Sequence, residues 1–311
     1  MGIARAAELI RQGELVAFPT ETVYGLGADA LNPLAVAKIF ELKERPSFDP
    51  LIVHIADIAL VRELAQLGEL ENYFLLLSRK FWPGPLTIVL PKKNIIPDIV
   101  TAGLPTVAIR MPDNEIALEL IRQSDCPIAA PSANKFGCLS PTTAGHVRKQ
   151  FPALEILDGG PAKVGIESTV IALQADGFVI LRQGIITKEE LETVLPASLS
   201  PVENNGLASP GLLKAHYSPS KPLYFLGQHT ADKSRAGLLT LRGENADGYK
   251  KTEILSPRGD LREAAANLFG ALHRLEEAPD IDCILAEPIP ETGVGPAIMD
   301  KLRKANYRWK N

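Results

Sequence analysis

Pro196, Pro201, Pro210, Pro219 and Pro222 fall within one stretch that also carries Asn204-Asn205-Gly206, and such a composition can continue neither a helix nor a central strand. Fixed φ angles and missing amide donors favour extended backbone broken by turns. The chain is thereby divided into a first domain over residues 1–196, a proline-rich linker over 197–221 and a smaller domain over 222–311. Its 311 residues are enough for two cores at roughly 150 residues per domain. Neither side of the linker shows an internal repeat or a low-complexity tract.

Before the linker, short strands alternate with helices. Ile3 to Gln12 has helical spacing and stops at Gly13, and Leu15 to Phe18 reads as a strand. Asn32-Pro33 places a capping amide before a proline at the first helical position, opening a helix to about Lys43. Leu51–Ile55, Leu86–Leu90, Thr106–Arg110, Pro127–Ala130, Thr169–Leu173 and Phe178–Arg182 are strand candidates, and Asp57 and Asp113 look like caps of two further helices. So many short strands with irregular connections such as Trp82-Pro83-Gly84-Pro85 imply a mixed α/β sheet under helical cover, not a repeated βαβ pattern. After the linker, strands are expected at Leu223–Leu226, Gly237–Leu241, Thr252–Leu255 and Ile281–Ala286, and helices at Asp260–Leu275 and Thr292–Asn306. That unit reads as a small Rossmann-like α/β fold without GxGxxG or GxxxxGK[ST], hence without a phosphate fingerprint.

Composition narrows the function. A formal net charge of -4 lacks the basic footprint of a protein living on nucleic acid, although a local basic patch is compatible with it. No apolar run approaches the roughly 18 residues of a membrane helix, and Met1 to Glu8 has neither signal-peptide nor transit-peptide character, so a cytoplasmic location with no membrane partner is expected. Cys126, Cys138 and Cys283 are odd in number with no CxxC spacing, which points to reduced, buried thiols and to no disulfide framework or structural zinc.

HExxH and GxSxG are both missing. Cations and hydroxyls at element ends stand out instead. In Thr106–Arg110 the period of two puts Val107 and Ile109 on one face and Thr106, Ala108 and Arg110 on the other, where an arginine is either solvated or ready to hold an anion. Arg182 ends an apolar strand and could offer bidentate bonds to phosphate or carboxylate. Lys43 and Arg45 follow a helix end, which by itself explains two cations there. His54 shares a strand face with Ile52, the usual setting of a hydrogen-bonded core histidine. Pro19 to Gly27 and Pro131-Ser132-Ala133-Asn134 bring hydroxyl and amide groups just beyond strand ends. Together these describe a cleft with several anion-binding groups and no obvious nucleophile, which suits a nucleotide whose own phosphate is attacked.

These residues also carry a resemblance. PTETVYGLG at Pro19–Gly27, LKERP at Leu42–Pro46, PLIVHI at Pro50–Ile55, WPGPLT at Trp82–Thr87, TVAIRMP at Thr106–Pro112, PSAN from Pro131, ESTV at Glu167–Val170, LRQG at Leu181–Gly184 and SPGLLKAHYSP at Ser209–Pro219 occur in one order over about two thirds of the chain. In these motifs the chain resembles the threonylcarbamoyl-AMP synthase family, in its long form with a YrdC-like domain followed by a second domain; the last ninety residues agree in length and architecture only.

The resemblance implies a YrdC-like mixed twisted sheet and a reaction joining L-threonine, bicarbonate or carbon dioxide, and ATP into threonylcarbamoyl-AMP and pyrophosphate, for threonylcarbamoyladenosine formation in tRNA. It gives the threonine pocket to Thr22, His54, Arg110, Ala130 and Ser168. To ATP it gives Arg45, Asp49, Thr106, Ser132, Asn134, Ser140, Arg182 and Tyr217, with Lys43, Arg45 and Arg182 acting on the phosphates. Where the family commonly has asparagine before PL this chain has Asp49, whose carboxylate would repel a triphosphate unless magnesium or a neighbouring cation intervenes. Mg2+ is expected to arrive with ATP, no metal ligand is assigned, and the product is expected to pass to the tRNA threonylcarbamoyl-transfer machinery. The linker is expected to lie across the cleft as a lid, with Tyr217 reaching the nucleotide. The rival readings are an RNA-binding module without ATP turnover, holding tRNA or double-stranded RNA in the same cationic concavity, and a carbamoyl-transfer domain acting on carbamoyl phosphate, which the linker and the lack of zinc-finger cysteines disfavour. Weak RNA binding is compatible with the enzyme reading too.

Overall fold

Two sheets organise the chain in a computed structural model that describes residues 1–198 and 216–309. The first holds β1 (Val16–Phe18), β2 (Gly25–Asp29), β3 (Ile52–His54), β4 (Leu86–Pro91), β5 (Thr106–Arg110), β6 (Ile128–Ala129), β7 (Glu155–Ile156), β8 (Thr169–Gln174) and β9 (Gly177–Arg182) in the order β7-β1-β2-β6-β3-β5-β4-β8-β9. Its pairings are mixed: β3 runs parallel to β5 and β4 to β8, whereas β3 with β6, β4 with β5, and β8 with β9 are antiparallel. The second sheet holds β10 (Leu223–Phe225), β11 (Ala236–Thr240), β12 (Lys251–Ile254) and β13 (Cys283–Ala286), all parallel, in the order β10-β13-β11-β12.

Local chemistry sets most of these boundaries. Asn32 accepts bonds from Leu34 N and Ala35 N at the start of the helix Pro33–Lys43, and Glu44 in a left-handed conformation (φ 55) ends it, which sends Lys43 and Arg45 inward. Val107 and Ile109 pack into the main core while Ala108 joins Ile52, Val89 and Val170 on the opposite face, as the period of two requires. Asp260 caps the helix Leu261–Glu276, accepting from Arg262 N and Glu263 N.

Several expectations need correction. β2 lies in what reads as a glycine loop; Gly27 is there because a Cβ would stand 2.8 Å from the Phe18 ring and 2.9 Å from Ile128, so cross-strand packing selects glycine inside a strand. β7, two residues long, has no periodicity to detect. Asp57 caps a 3-10 turn at Ile58–Leu60 and not an α-helix, and Asn114, not Asp113, caps the helix Glu115–Ser124. All three cysteines are free, but only Cys283 is buried; Cys126 and Cys138 sit half-buried in loops. The linker's middle, including Pro201, Asn204-Asn205-Gly206 and Pro210, lies outside the described residues. Its flanks are tied down: Ser198 bonds Phe178 O, and Ser220 N donates to Glu276.

The second domain is docked onto the first through apolar packing. Val23, Leu139, Ile166 and Ile185 of the first domain and Tyr217 of the linker share one core cluster with Leu268, Phe269, Leu272, Ile298 and Leu302. Fully burying each such large side chain contributes about 1.5–3 kcal/mol. At the closest approach Gly165 (φ +76) faces the helix Leu261–Glu276, and a Cβ there would lie 2.2 Å from Ala266 O, which glycine alone permits. His146 stacks on His273 across the same boundary at 3.8 Å, and Arg262 pairs with Glu190 at 2.7 Å.

Candidate functional site

Strand register gathers the scattered motifs. Parallel pairing sets His54 at the end of β3 beside Arg110 at the end of β5, and Ala130 N, just past β6, bonds Ile52 O at 2.9 Å. Thr22 stands in the turn between β1 and β2, Ser168 immediately before β8, and Arg182 at the end of β9. All of them, with Arg45, Ser132, His216 and Tyr217, line a single cavity, whose free space for a water-sized sphere centre is about 50 Å³. That is room for a few waters, so a nucleotide enters only if part of the wall moves.

Arg110 is not a solvated sheet residue. It is 3% exposed, donates through Nη1 to Thr22 Oγ1 (3.0 Å) and through Nε to Gly84 O (3.3 Å), and its Nη2 lies 2.6 Å from the Glu21 carboxylate. Thr20 Oγ1 braces the turn by bonding Thr22 Oγ1 and Val23 O. His54 packs edge-on against Phe18 with Nδ1 unpartnered, and burial together with the Arg110 charge pushes its pKa down to about 3, so the ring is neutral. A neutral imidazole beside a guanidinium can accept a hydrogen bond where the guanidinium holds a carboxylate.

The opposite wall is also built of buried polar groups. Arg182 donates through Nε to Ser168 O (3.1 Å) and through Nη2 to Ser168 Oγ (2.9 Å), and Ser168 Oγ meets Thr87 Oγ1 at 2.7 Å. Tyr217, 1% exposed and in a left-handed conformation (φ 58), packs on Phe269, with Lys301 Nζ 5.6 Å from its ring centre. Burial raises its pKa well above the ordinary phenol value, with Glu167 adding to the rise, so the hydroxyl keeps its proton. Lys301 Nζ reaches from the second domain to Gln183 O at 2.7 Å, next to Arg182.

Five expected residues do not line the cavity. Lys43 is 1% exposed and donates to Ser132 O (2.5 Å) and Asn134 O; burial first and Arg45 second depress its pKa, so it shapes the Ser132–Asn134 loop from behind. Asn134 holds Lys135 O and Cys138 O, and Ser140 donates to Glu167 Oε1 at 2.5 Å. Asp49 lies 2.8 Å from Arg45 Nη2, so a neighbouring cation meets its carboxylate. Thr106 starts β5, at the end opposite Arg110. Sequence reasoning does not single out Glu21, Glu167 or His216 as site residues, although each lies inside a motif, and that adjacency is the available signal.

An α/β sheet with a cavity at its strand ends, faced among the described residues by three arginines and by hydroxyls but by no nucleophile–base pair, defines an enzyme that handles anionic substrates by positioning. Residues 8–184 match the Sua5/YciO/YrdC family model, described as telomere recombination, and residues 186–306 match the threonylcarbamoyl-AMP synthase C-terminal domain. The chain belongs to the threonylcarbamoyl-AMP synthase family, in its two-domain form. Threonylcarbamoyl-AMP synthase of Bacillus subtilis is 46% identical over 97% of this chain and 92% of its own length, and that of Pyrococcus abyssi 44% identical over 97% and 94%. The solved structure of P. abyssi Sua5 complexed with L-threonine superposes with a TM-score of 0.86 at 41% identity, covering 98% of this chain and 94% of that one.

Proposed function

We propose that this chain forms threonylcarbamoyl-AMP and pyrophosphate from L-threonine, bicarbonate or carbon dioxide, and ATP, within the cavity described above. The observation that carries this reading is convergence: Thr22, Arg45, His54, Arg110, Ala130, Ser132, Ser168, Arg182 and Tyr217, chosen on family resemblance and spread over nearly two hundred residues, all line one cavity. Arg110 would anchor the threonine carboxylate, with Thr22 and neutral His54 beside it. Once the threonine amine is unprotonated and carries carbon dioxide as a carbamate, a carbamate oxygen attacks the α-phosphate in line and pyrophosphate leaves. The protein's contribution is alignment and cationic stabilisation by Arg45 and Arg182, with Lys43 holding the loop that carries Ser132.

Magnesium bound to the ATP phosphates would neutralise part of their charge. Among the described residues no three His, Cys, Asp or Glu side chains come together as a self-sufficient metal site, but the carboxylate that lines the cavity, Glu167, has a buried oxygen, Oε2, without a hydrogen-bond partner. That fits a cation carried by the substrate and completed by a single protein ligand.

The burial of Tyr217 in the cavity wall also supports the lid reading, because a mixed anhydride needs protection from water. No helix among the described residues is long and apolar enough to cross a membrane. The proposal further takes the product to be handed, in the cytoplasm, to the tRNA threonylcarbamoyl-transfer machinery. Nothing in the cavity favours the RNA-binding alternative, since its arginines point inward against carboxylates and hydroxyls. The test is threonine-dependent pyrophosphate release from ATP and bicarbonate; release that ignores threonine would refute the assignment.

A further inference from the structure

Each arginine that faces the cavity has a buried carboxylate in its company. The three arginines, Arg45, Arg110 and Arg182, are accompanied by three carboxylates, Asp49, Glu21 and Glu167, each at most 6% exposed. Asp49 and Glu21 stand behind the cavity, 2.8 and 2.6 Å from Arg45 and Arg110. Glu167 differs. Among the described residues it is the one carboxylate that lines the cavity itself; Ser140 occupies its Oε1, and its buried Oε2, like Glu21 Oε1 behind the wall, has no hydrogen-bond partner. A half-satisfied carboxylate in a cavity meant for a triphosphate is unfavourable twice over, through its own desolvation and through repulsion of the ligand. The arrangement becomes favourable if the ligand brings a cation to that oxygen.

We propose that Glu167 is the protein's carboxylate ligand for the divalent cation that enters with the nucleotide. This rests on the ATP-using function proposed above. Two observations put the oxygen at the nucleotide's end, and a third concerns charge. Glu167 is bonded to Ser140 and acts electrostatically on Tyr217 and on Lys301, all on the side of the second domain. Its loop is gripped there: Gly165 touches Ala266 of the helix Leu261–Glu276, and Ile166 is inserted in the second domain's core. Lys43, the other group suited to screening phosphate charge, is committed to the carbonyls of Ser132 and Asn134, which leaves that part of the screening to a cation. A hard dication that keeps most of its waters and takes one protein carboxylate together with phosphate oxygens meets this need.

The test uses the full chain with Mn2+ as the probe and a non-hydrolysable ATP analogue. Analogue affinity is measured with and without Mn2+, free Mn2+ is followed by electron paramagnetic resonance, and threonine binding is measured separately by calorimetry. In the unaltered protein Mn2+ should tighten analogue binding at least tenfold. In Glu167→Gln that tightening should fall below threefold, while metal-free analogue affinity is unchanged or improved and threonine still binds, which also certifies the fold. Glu167→Asp, with the charge kept but drawn back, should retain part of the effect. Full Mn2+ enhancement in Glu167→Gln overturns the proposal; if that variant instead loses threonine, the carboxylate serves the substrate's ammonium group and the proposal is again wrong. Failure of the unaltered protein to bind the analogue under any condition would instead remove the ATP-using function on which the proposal rests.

Discussion

The two walls of the cavity are built differently. Thr22, His54, Arg110 and Ala130 stand on β3, β5 and the turns beside them, held by ladder bonds and by packing within the first domain. Arg45 and Ser132 lie near them, Ser132 held by buried Lys43 and Arg45 by Asp49 and Pro50 O. The facing wall, with Glu167, Ser168, Arg182 and Tyr217, depends on two domains at once: Ala266 presses on Gly165, Phe269 on Tyr217, and Lys301 holds Gln183 O. Family resemblance gives Thr22, His54, Arg110 and Ala130 of the first wall to threonine, and on the second gives Arg182 and Tyr217 to ATP and Ser168 to threonine. Threonine recognition should therefore rest mainly on the first domain, and nucleotide recognition should depend in addition on the contact between the domains; the second domain, which lacks a phosphate-binding fingerprint of its own, acts as a brace.

Four substitutions or conditions press on this contrast. Arg110→Ala should have the largest effect, raising the threonine KM by about a hundredfold with the ATP KM little changed, since losing one partner of a buried charge pair costs about 2–5 kcal/mol. Steady-state kinetics with each substrate varied separates the two; equal losses would erase the distinction between the walls. The variant also leaves Glu21 buried without its cation, so Glu21→Gln added to Arg110→Ala should recover thermal stability but not threonine affinity. Arg182→Ala should lower kcat by roughly ten- to a hundredfold with threonine affinity unchanged, in line with about 1.5–3 kcal/mol for a hydrogen bond to a charged group; near-normal turnover would mark Arg182 as only a brace for Ser168.

A pH effect comes next. His54 in the first wall and His146 at the domain boundary both have pKa values pushed down to about 3, chiefly by burial. A histidine held neutral in the fold favours the folded state fully above the unfolded pKa near 6.5 and loses that advantage as pH falls towards the folded value, by about 1.4 kcal/mol per pH unit for each fully buried group. Melting temperature should be flat above neutrality and fall from pH 6.5 to 5, and His54→Asn should flatten the fall; a midpoint independent of pH across that range would mean neither ring is held neutral. The smallest effect is expected for Asp49→Asn. With its carboxylate beside Arg45, neutralising it frees positive charge for the nucleotide, so metal-free ATP affinity should stay level or improve up to about threefold. A large loss of activity at saturating magnesium would make Asp49 a metal ligand instead.

The first wall was more legible in the sequence than the second, for a physical reason. Arg110 and His54 lie on strands whose period of two is visible in Thr106–Arg110 and Leu51–Ile55, and Asn32-Pro33 announced the helix that delivers Lys43 and Arg45. The inward turn of Arg110 was not visible, because it depends on Glu21 and Thr22, distant in sequence and joined only by tertiary packing. Lys43 was expected at the phosphates, yet its helix ends in a left-handed residue that turns it onto backbone carbonyls. For the second wall, motif letters marked Ser168, Arg182 and Tyr217, but no local pattern reveals that Gly165 must be glycine to admit Ala266, or that Lys301, over a hundred residues later, reaches Gln183.

The brace can be tested most directly at Lys301, which lies outside the cavity and in the second domain. Lys301→Met keeps the length and apolar stem of the side chain and removes the bond to Gln183 O. Calorimetry on the full chain should show ATP-analogue affinity falling about tenfold, with threonine affinity within about twofold of the unaltered protein. Equal weakening of both ligands, or no change in either, would contradict the claim that the two domains jointly build the nucleotide wall alone.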